Sequence, residues 1–321
     1  AAMGNQRLGI TATAAAAPSG RLREEAPTSK WAKQRERLAW LFVAPAIIVV
    51  VLVAIYPLAR TIQLSFTNAR MGLGRKTEWV SLDNYRYIFN DDQWWRSLQH
   101  TLIFTFVSVG LETLLGIIIA LTIHSNFKGR GLVRTSMLVP WAIPTVVSAQ
   151  MWKWMYIDVY GVIPDFFGKK LGIMDPHTAL LANTKTALLA VIAVDVWKTT
   201  PFMALLILAG LQIIPEDIYE SSGIDGASKV RQFFDLTLPL LKPSLLVALV
   251  FRTMDAFRVY DLVAVMKGAS PDTMTVAVYA QNMLVGSQRL GRGSAVAVVI
   301  FLIIAVFAFV YTRMIDLEDM G

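Results

Sequence analysis

Six stretches of predominantly apolar residues recur along the chain, near 38–59, 100–123, 137–157, 186–210, 244–266 and 294–315. Each is long enough to carry a helix across a hydrocarbon core, which takes about 20 such residues. This pattern predicts an all-α membrane protein with six transmembrane helices. Composition agrees: of 321 residues 55% are apolar and 17% charged, with a mean hydropathy of +0.52, whereas a soluble domain has roughly a quarter of its residues charged.

The composition also excludes chemistry. There is no cysteine, so a disulfide framework, a thiolate nucleophile and a cysteine-ligated metal are ruled out, and the three histidines (His100, His124, His177) are scattered. No metal site is expected. The net charge of +7 is spread around the apolar spans instead of gathered in one patch, which argues against nucleic acid and for topology signals. Lys and Arg number six in the seventeen residues 21–37 and three in the thirteen residues 124–136, against five in the thirty-six residues 61–96. By the positive-inside rule both termini are expected in the cytoplasm.

Residues 1–30 read as a disordered cytoplasmic tail, since AAMGNQRLGITATAAAAPSG lacks a basic opening followed by an apolar core. Residues 31–37, in the run SKWAKQRERLAW between Trp31 and Trp40, read as an interfacial amphipathic segment or as an extension of the first span. Residues 316–321 form a cytoplasmic tail. Trp94, Trp95, Trp152 and Trp154 are expected in the aromatic belts at the membrane surfaces.

One cytoplasmic segment, residues 215–239, is too polar to span and too apolar for a solvated loop. Pro215 with Glu216 and Asp217 is a helix start. That helix should run to about Asp225, where Gly226 can take a left-handed conformation, and Ser228 can cap a second helix. Ser221, Ser222 and Gly223 permit close approach of another backbone, and Ile218, Tyr219, Ile224, Phe233 and Phe234 supply apolar anchors. An apolar patch facing water marks a protein interface; the alternative is a hairpin folded back under its own bundle.

The spacing Glu220-Ser221-Ser222, Gly226, Leu236-Thr237-Leu238-Pro239 resembles the EAA loop of binding-protein-dependent ABC importer permeases, with serines at both alanine positions and leucine at the isoleucine position. VWKTTPFMALLILAGLQIIP before the loop, FRTMDAFRVYDLV after it and WVSLDNYRYIF after the first span are similar to sugar-importer permeases of the maltose and glycerol-phosphate type. MKGASP (Met266 to Pro271) departs from the Gly-Gly-Pro turn of many relatives. The resemblance implies a type I permease fold in the plasma (inner) membrane. It further implies a second homologous permease, an ABC ATPase dimer and an extracytoplasmic solute-binding protein docking on segments 61–99, 158–185 and 267–293. Tyr219, Glu220, Ile224, Asp225, Gly226 and Ala227 would then form the ATPase-coupling surface, with Glu220 facing a basic group of the ATPase. The chain itself has no Gly-x4-Gly-Lys-Ser/Thr phosphate loop. ATP and Mg therefore belong to the partner subunits, and this chain is expected to bind no cofactor and to catalyse nothing.

Ionisable residues inside spans are costly and mark function by default. Asp195, Lys198, Thr199 and Thr200 fall near the middle of the fourth span beside Pro201, and Arg252, Thr253, Asp255 and Arg258 near the middle of the fifth. Carboxylates and guanidinium groups that hydrogen-bond hydroxyls, with aromatic faces that cover C–H surfaces, suit a sugar. The candidate substrate-binding residues are Asp195, Thr199, Phe202, Arg252, Thr253, Asp255 and Tyr260, several of which match sugar-contacting positions of the maltose relative. The alternative is that these charges pair to hold helices together, and Glu112 in the second span reads as an interhelical partner more than a ligand. The resemblance implies a disaccharide such as trehalose as the cargo, with glycerol phosphate, a polyol or an oligosaccharide as alternatives. A secondary transporter would carry an inverted repeat, and a membrane-embedded enzyme a clustered catalytic set; the sequence offers neither.

Overall fold

The structure is a computed structural model that describes residues 30–72, 76–125, 127–158, 160–173, 175 and 179–318. Of the expected tails 1–30 and 316–321, residues 1–29 and 319–321 lie outside the described residues, as does His177; residue 30 and residues 316–318 are helical. Among the described residues the chain is helical, with one isolated bridge, Thr67 to Trp79, outside the helices. It divides into a first unit ending at Pro57 and a second beginning at Leu58.

The described residues of the first unit, 30–57, are helical throughout. Helix α1 (Lys30–Val50) runs through a π turn at Val51–Ile55 into α2 (Tyr56–Ser65). The expected interfacial segment 31–37 is thus a direct extension of the first span. The widened turn ends just before Pro57, whose ring cannot accommodate a normal carbonyl four residues back; Tyr56 bonds instead to Val51, five residues away. The same device recurs at Phe233–Thr237, just before Pro239.

In the second unit α3 (Asp83–Phe89) leads into α4 (Asp92–His124), capped by the Asp91 side chain on Gln93 N. The third apolar stretch, expected as one span over 137–157, is broken: α5 (Arg130–Met137) and α6 (Val139–Ala142) meet α7 (Thr145–Met155) at a bend of 87°. Pro144 is the cause. It pushes Ile143 into an extended conformation (ψ 132) and so ends the helix before it. A short turn, α8 (Val162–Pro164), precedes α9 (Thr184–Leu211), the central helix, most of whose apolar stretch is buried.

The hairpin follows as α10 (Glu216–Ile224) and α11 (Lys229–Gln232), then α12 (Leu238–Phe257) and α13 (Asp261–Lys267). The fifth span, expected to be continuous over 244–266, is interrupted at Arg258–Tyr260. Finally α14 (Val276–Gln281) packs beside α15 (Leu290–Glu318). At the outer turn between α13 and α14, Gly268 takes φ +64, and Ser270 carbonyl accepts from Thr273 N and Met274 N. Asp272 lies 3.4 Å from Lys267. Burial pushes the Asp272 carboxyl up, but the Ser270 hydroxyl and the Lys267 ammonium outweigh it and hold it below its ordinary value. Ala269 and Ser270 therefore close a well-bonded turn without the second glycine.

Lipid tails are as apolar as leucine, so helices in a bilayer associate by close packing, not by escape from water. Helices α4, α9 and α12 meet along small residues. Gly116 of α4 faces Met203 and Ile207, and Gly210 of α9 faces Leu241 and Ser244 of α12 with no room for a Cβ. Of the tryptophans expected in the belts, Trp94 is instead interior and Trp152 is half-buried. Trp94 is 1% exposed against Tyr279, and Trp152 packs on Trp197 and Tyr156; Trp95 and Trp154 remain exposed. Overpacking costs about 1–3 kcal/mol. Gly210→Val is accordingly expected to lower the unfolding midpoint of the detergent-purified protein clearly, while Gly131→Val, at an open position, leaves it nearly unchanged.

Candidate functional site

The mid-membrane polar residues separate into a buried clamp and an adjoining cavity. Arg252 of α12, 3% exposed, forks onto Glu112 of α4, 0% exposed: Nε lies 2.5 Å from Oε2 and Nη2 lies 2.9 Å from Oε1. The same Nη2 also meets Asp195 Oδ2 of α9. Thr199 Oγ1 sits 2.5 Å from Glu112 Oε1 and 2.6 Å from the Asp195 carbonyl. One guanidinium thus ties three helices. Bidentate, charge-assisted bonds are the strongest available here, and each lone pair they satisfy need not be hydrated.

Lys198 of α9 faces the broken third span. Its Nζ donates to the carbonyls of Ile143 (2.5 Å), Trp141 (3.2 Å) and Pro140 (3.5 Å), which the bend at Pro144 leaves without helical partners. A buried ammonium and a frayed helix end satisfy one another. Face-to-face stacking of Trp141 on Phe202, centroids 5.5 Å apart, holds the same junction.

Beside the clamp lies a cavity of 260 Å³. Asp195, Thr199, Arg252, Asp255 and Tyr260 line it, together with Lys198, Thr145 and the interruption Arg258–Tyr260. Five of the seven candidate residues are therefore brought together. The other two are not: Phe202 is engaged with Trp141, and Thr253 is buried with its hydroxyl 3.2 Å from Tyr311 Oη. Within the group Arg252 and Asp195 are buried and mutually paired, whereas the Asp255 side chain is 61% exposed, 3.5 Å from Arg252 and 3.4 Å from Arg258. Close pairing thus describes Arg252, Asp195 and Glu112, while Asp255, Arg258 and Asp261 present exposed side chains, and Tyr260 a half-buried one, at the same cavity. Glu112's two partners and the Lys198 contacts could not be read from spacing; Pro140 and Pro144 within the third stretch were the available signal for the break.

The hairpin takes the expected form. Gly226 has φ +78, Ala227 N bonds to Ser222 O at 3.0 Å and Gly226 N to Gly223 O at 3.1 Å, the double closure of a Schellman turn. Ser228 Oγ then caps α11 through Arg231 N. Inside the hairpin, buried Gln232 donates to Tyr219 O (3.1 Å) and Ser222 Oγ (2.8 Å), and Tyr219 Oη lies 3.1 Å from Thr237 Oγ1. Tyr219 therefore braces the hairpin from within. Glu220 and Asp225 are exposed, and so is the apolar side chain of Ile224, at 87%.

Residues 112–317 match the family of binding-protein-dependent transport system inner membrane components. The chain is 38% identical over 278 residues to the trehalose transport system permease protein SugA of Mycobacterium tuberculosis, covering 87% of this chain and 88% of that protein. It is 40% identical over 288 residues to the trehalose/maltose transport system permease protein MalF of Thermococcus litoralis (89% and 96% covered). It is 37% identical over 294 residues to the sulfoquinovosyl glycerol transport system permease protein SmoG of Agrobacterium fabrum (91% and 94% covered). Its fold is that of a bacterial alginate ABC importer chain, with a TM-score of 0.78 at 22% identity over 89% of this chain and 98% of that one. The chain belongs to the family of binding-protein-dependent transport inner membrane components, and is a multi-pass membrane protein.

Breaking a buried ion pair costs about 3–5 kcal/mol, because the surviving partner stays uncompensated. Arg252→Ala strands two carboxylates and is expected to reduce yield and unfolding midpoint sharply. Asp255→Ala removes an exposed group, worth within about 1 kcal/mol, and is expected to leave the midpoint unchanged while solute uptake is lost.

Proposed function

We propose that this chain is the non-catalytic permease subunit of an ATP-driven importer for a neutral sugar, a disaccharide such as trehalose. One observation carries the reading: α9 and α12, which bring Asp195, Lys198, Thr199, Arg252 and Asp255 to the cavity wall, are the two helices that the hairpin joins. A push on the hairpin reaches the cavity through two rigid rods. The hairpin is braced internally and offers Ile224, Glu220 and Asp225 outward, the form of a lever seated on a partner. That partner would be an ABC ATPase dimer, which binds ATP and Mg.

The cavity chemistry favours a polyhydroxylated neutral solute. Three carboxylates, Asp195, Asp255 and Asp261, and three cations, Lys198, Arg252 and Arg258, line it, a balanced set of donors and acceptors that suits hydroxyl groups more than a net charge. Its 260 Å³ falls short of the roughly 300–1,000 Å³ typical of small-molecule sites. A second, similar permease would complete the enclosure, and a solute-binding protein would deliver the cargo. The relatives named above are a trehalose, a trehalose/maltose and a sulfoquinovosyl glycerol permease at 37–40% identity. What those cargo names share is a glycoside.

Burial of an isoleucine side chain contributes about 1.5–3 kcal/mol, so Ile224→Asp is expected to weaken docking of the ATPase at least about tenfold. Gly226→Pro cannot adopt the positive φ and disrupts the turn itself. In the reconstituted complex both should abolish stimulation of ATP hydrolysis by sugar-loaded binding protein. Sugar uptake by this chain alone in liposomes, without ATP, would refute the reading.

A further inference from the structure

At the end of α4 remote from the hairpin, a second cavity of 230 Å³ is lined by three guanidinium groups, Arg70, Arg289 and Arg292, against one carboxylate, Asp83. Asp83 is not their counter-ion: it lies 3.6 Å from Arg86 on its own helix, and both side chains are solvent-exposed. Arg292 lies over the ring of Tyr87, 3.6 Å from its centroid.

The backbone forces these cations together. Gly291 N donates to Ala69 O at 2.9 Å and Met71 N donates to Gln288 O at 2.9 Å, so the neighbours of Arg70 are bonded to residues on both sides of Arg289. Gln288 takes a left-handed φ of 54 to do so, and Gly291 lies so close to the Thr67 carbonyl that a Cβ would collide with it. Asn84 Nδ2 fixes the same loop through Ser65 O and Thr67 O, both at 2.8 Å. Like charges repel, and a loop rigidly bonded into this register cannot relieve the repulsion by moving away. An anion can.

The surroundings identify its source. Trp79, adjacent in sequence to the pocket residue Val80 and stacked on Phe66, is 64% exposed, and Tyr87, beneath Arg292, is 36% exposed. Exposed Trp and Tyr rings of this kind sit at the level of lipid headgroups. We propose that this pocket binds the phosphate of an anionic phospholipid headgroup, its oxygens held by the guanidinium forks while Trp79 and Tyr87 mark the boundary with the acyl chains. The site is separate from the sugar cavity and does not depend on the identity of the cargo.

The test is native mass spectrometry of the purified full chain titrated with phosphatidylglycerol or phosphatidylcholine. Wild type should retain phosphatidylglycerol preferentially, Arg70→Gln/Arg289→Gln should bind it at least about tenfold more weakly, and Arg70→Lys/Arg289→Lys should fall between. The lysine pair preserves charge and serves alone should the glutamine pair fail to fold. Inorganic phosphate at millimolar concentration should not displace the lipid. Equal lipid affinity in all three proteins overturns the proposal. Displacement by inorganic phosphate overturns the lipid as the source. Unchanged lipid binding with lost docking of a solute-binding protein would reassign the patch to a protein interface.

Discussion

A guanidinium in the middle of a bilayer has no water to hydrate it, and the second unit is arranged around that constraint. Arg252 meets Glu112, Asp195 and Thr199 from two other helices, so α4, α9 and α12 cannot separate without exposing a charge to hydrocarbon or to one another's unpaired partners. Small residues at Gly116 and Gly210 bring the same helices close enough for that reach. The clamp sets the geometry of the cavity wall. Its members are bonded to one another, whereas Asp255, Tyr260 and the interruption between α12 and α13 line the same cavity outside that set of short bonds.

A second polar adjustment sits beside the first. Pro144 breaks the third span and frees carbonyls that lipid cannot satisfy, and Lys198 satisfies them. Irregular backbone at membrane depth is tolerated where it is buried in protein or lines a wet cavity; here Lys198 and Thr145 border that cavity. The break and the site thus share Lys198 and Thr145.

Much of this was legible in the sequence. Apolar runs located the spans because lipid imposes length and composition directly, and the hairpin was legible because a left-handed glycine, a serine cap and two prolines act locally. The interruptions were less so. Ile143-Pro144 hides within an apolar run, and nothing local marks Arg258–Tyr260 as non-helical. Glu112 stood alone in its span, and its partners lie 87 and 140 positions away, a relation that only tertiary packing creates. Trp94 looked like a belt residue because an indole suits either an interface or a core; packing against Tyr279 decided it. In the candidate site, type and depth were readable while the division into clamp and ligand-facing groups was not, since pairing and exposure depend on three helices at once.

The central claim is that the hairpin and the cavity move as one body through α9 and α12. Because the native chain has no cysteine, a single Val259→Cys in the cavity wall gives a clean reporter. Its reaction rate with a membrane-impermeant maleimide is measured in the assembled complex, at rest and with ATP hydrolysis trapped. The account predicts that the rate changes at least about tenfold between the two states, since alternating access exposes the cavity to one side at a time. Identical rates in both states would contradict it.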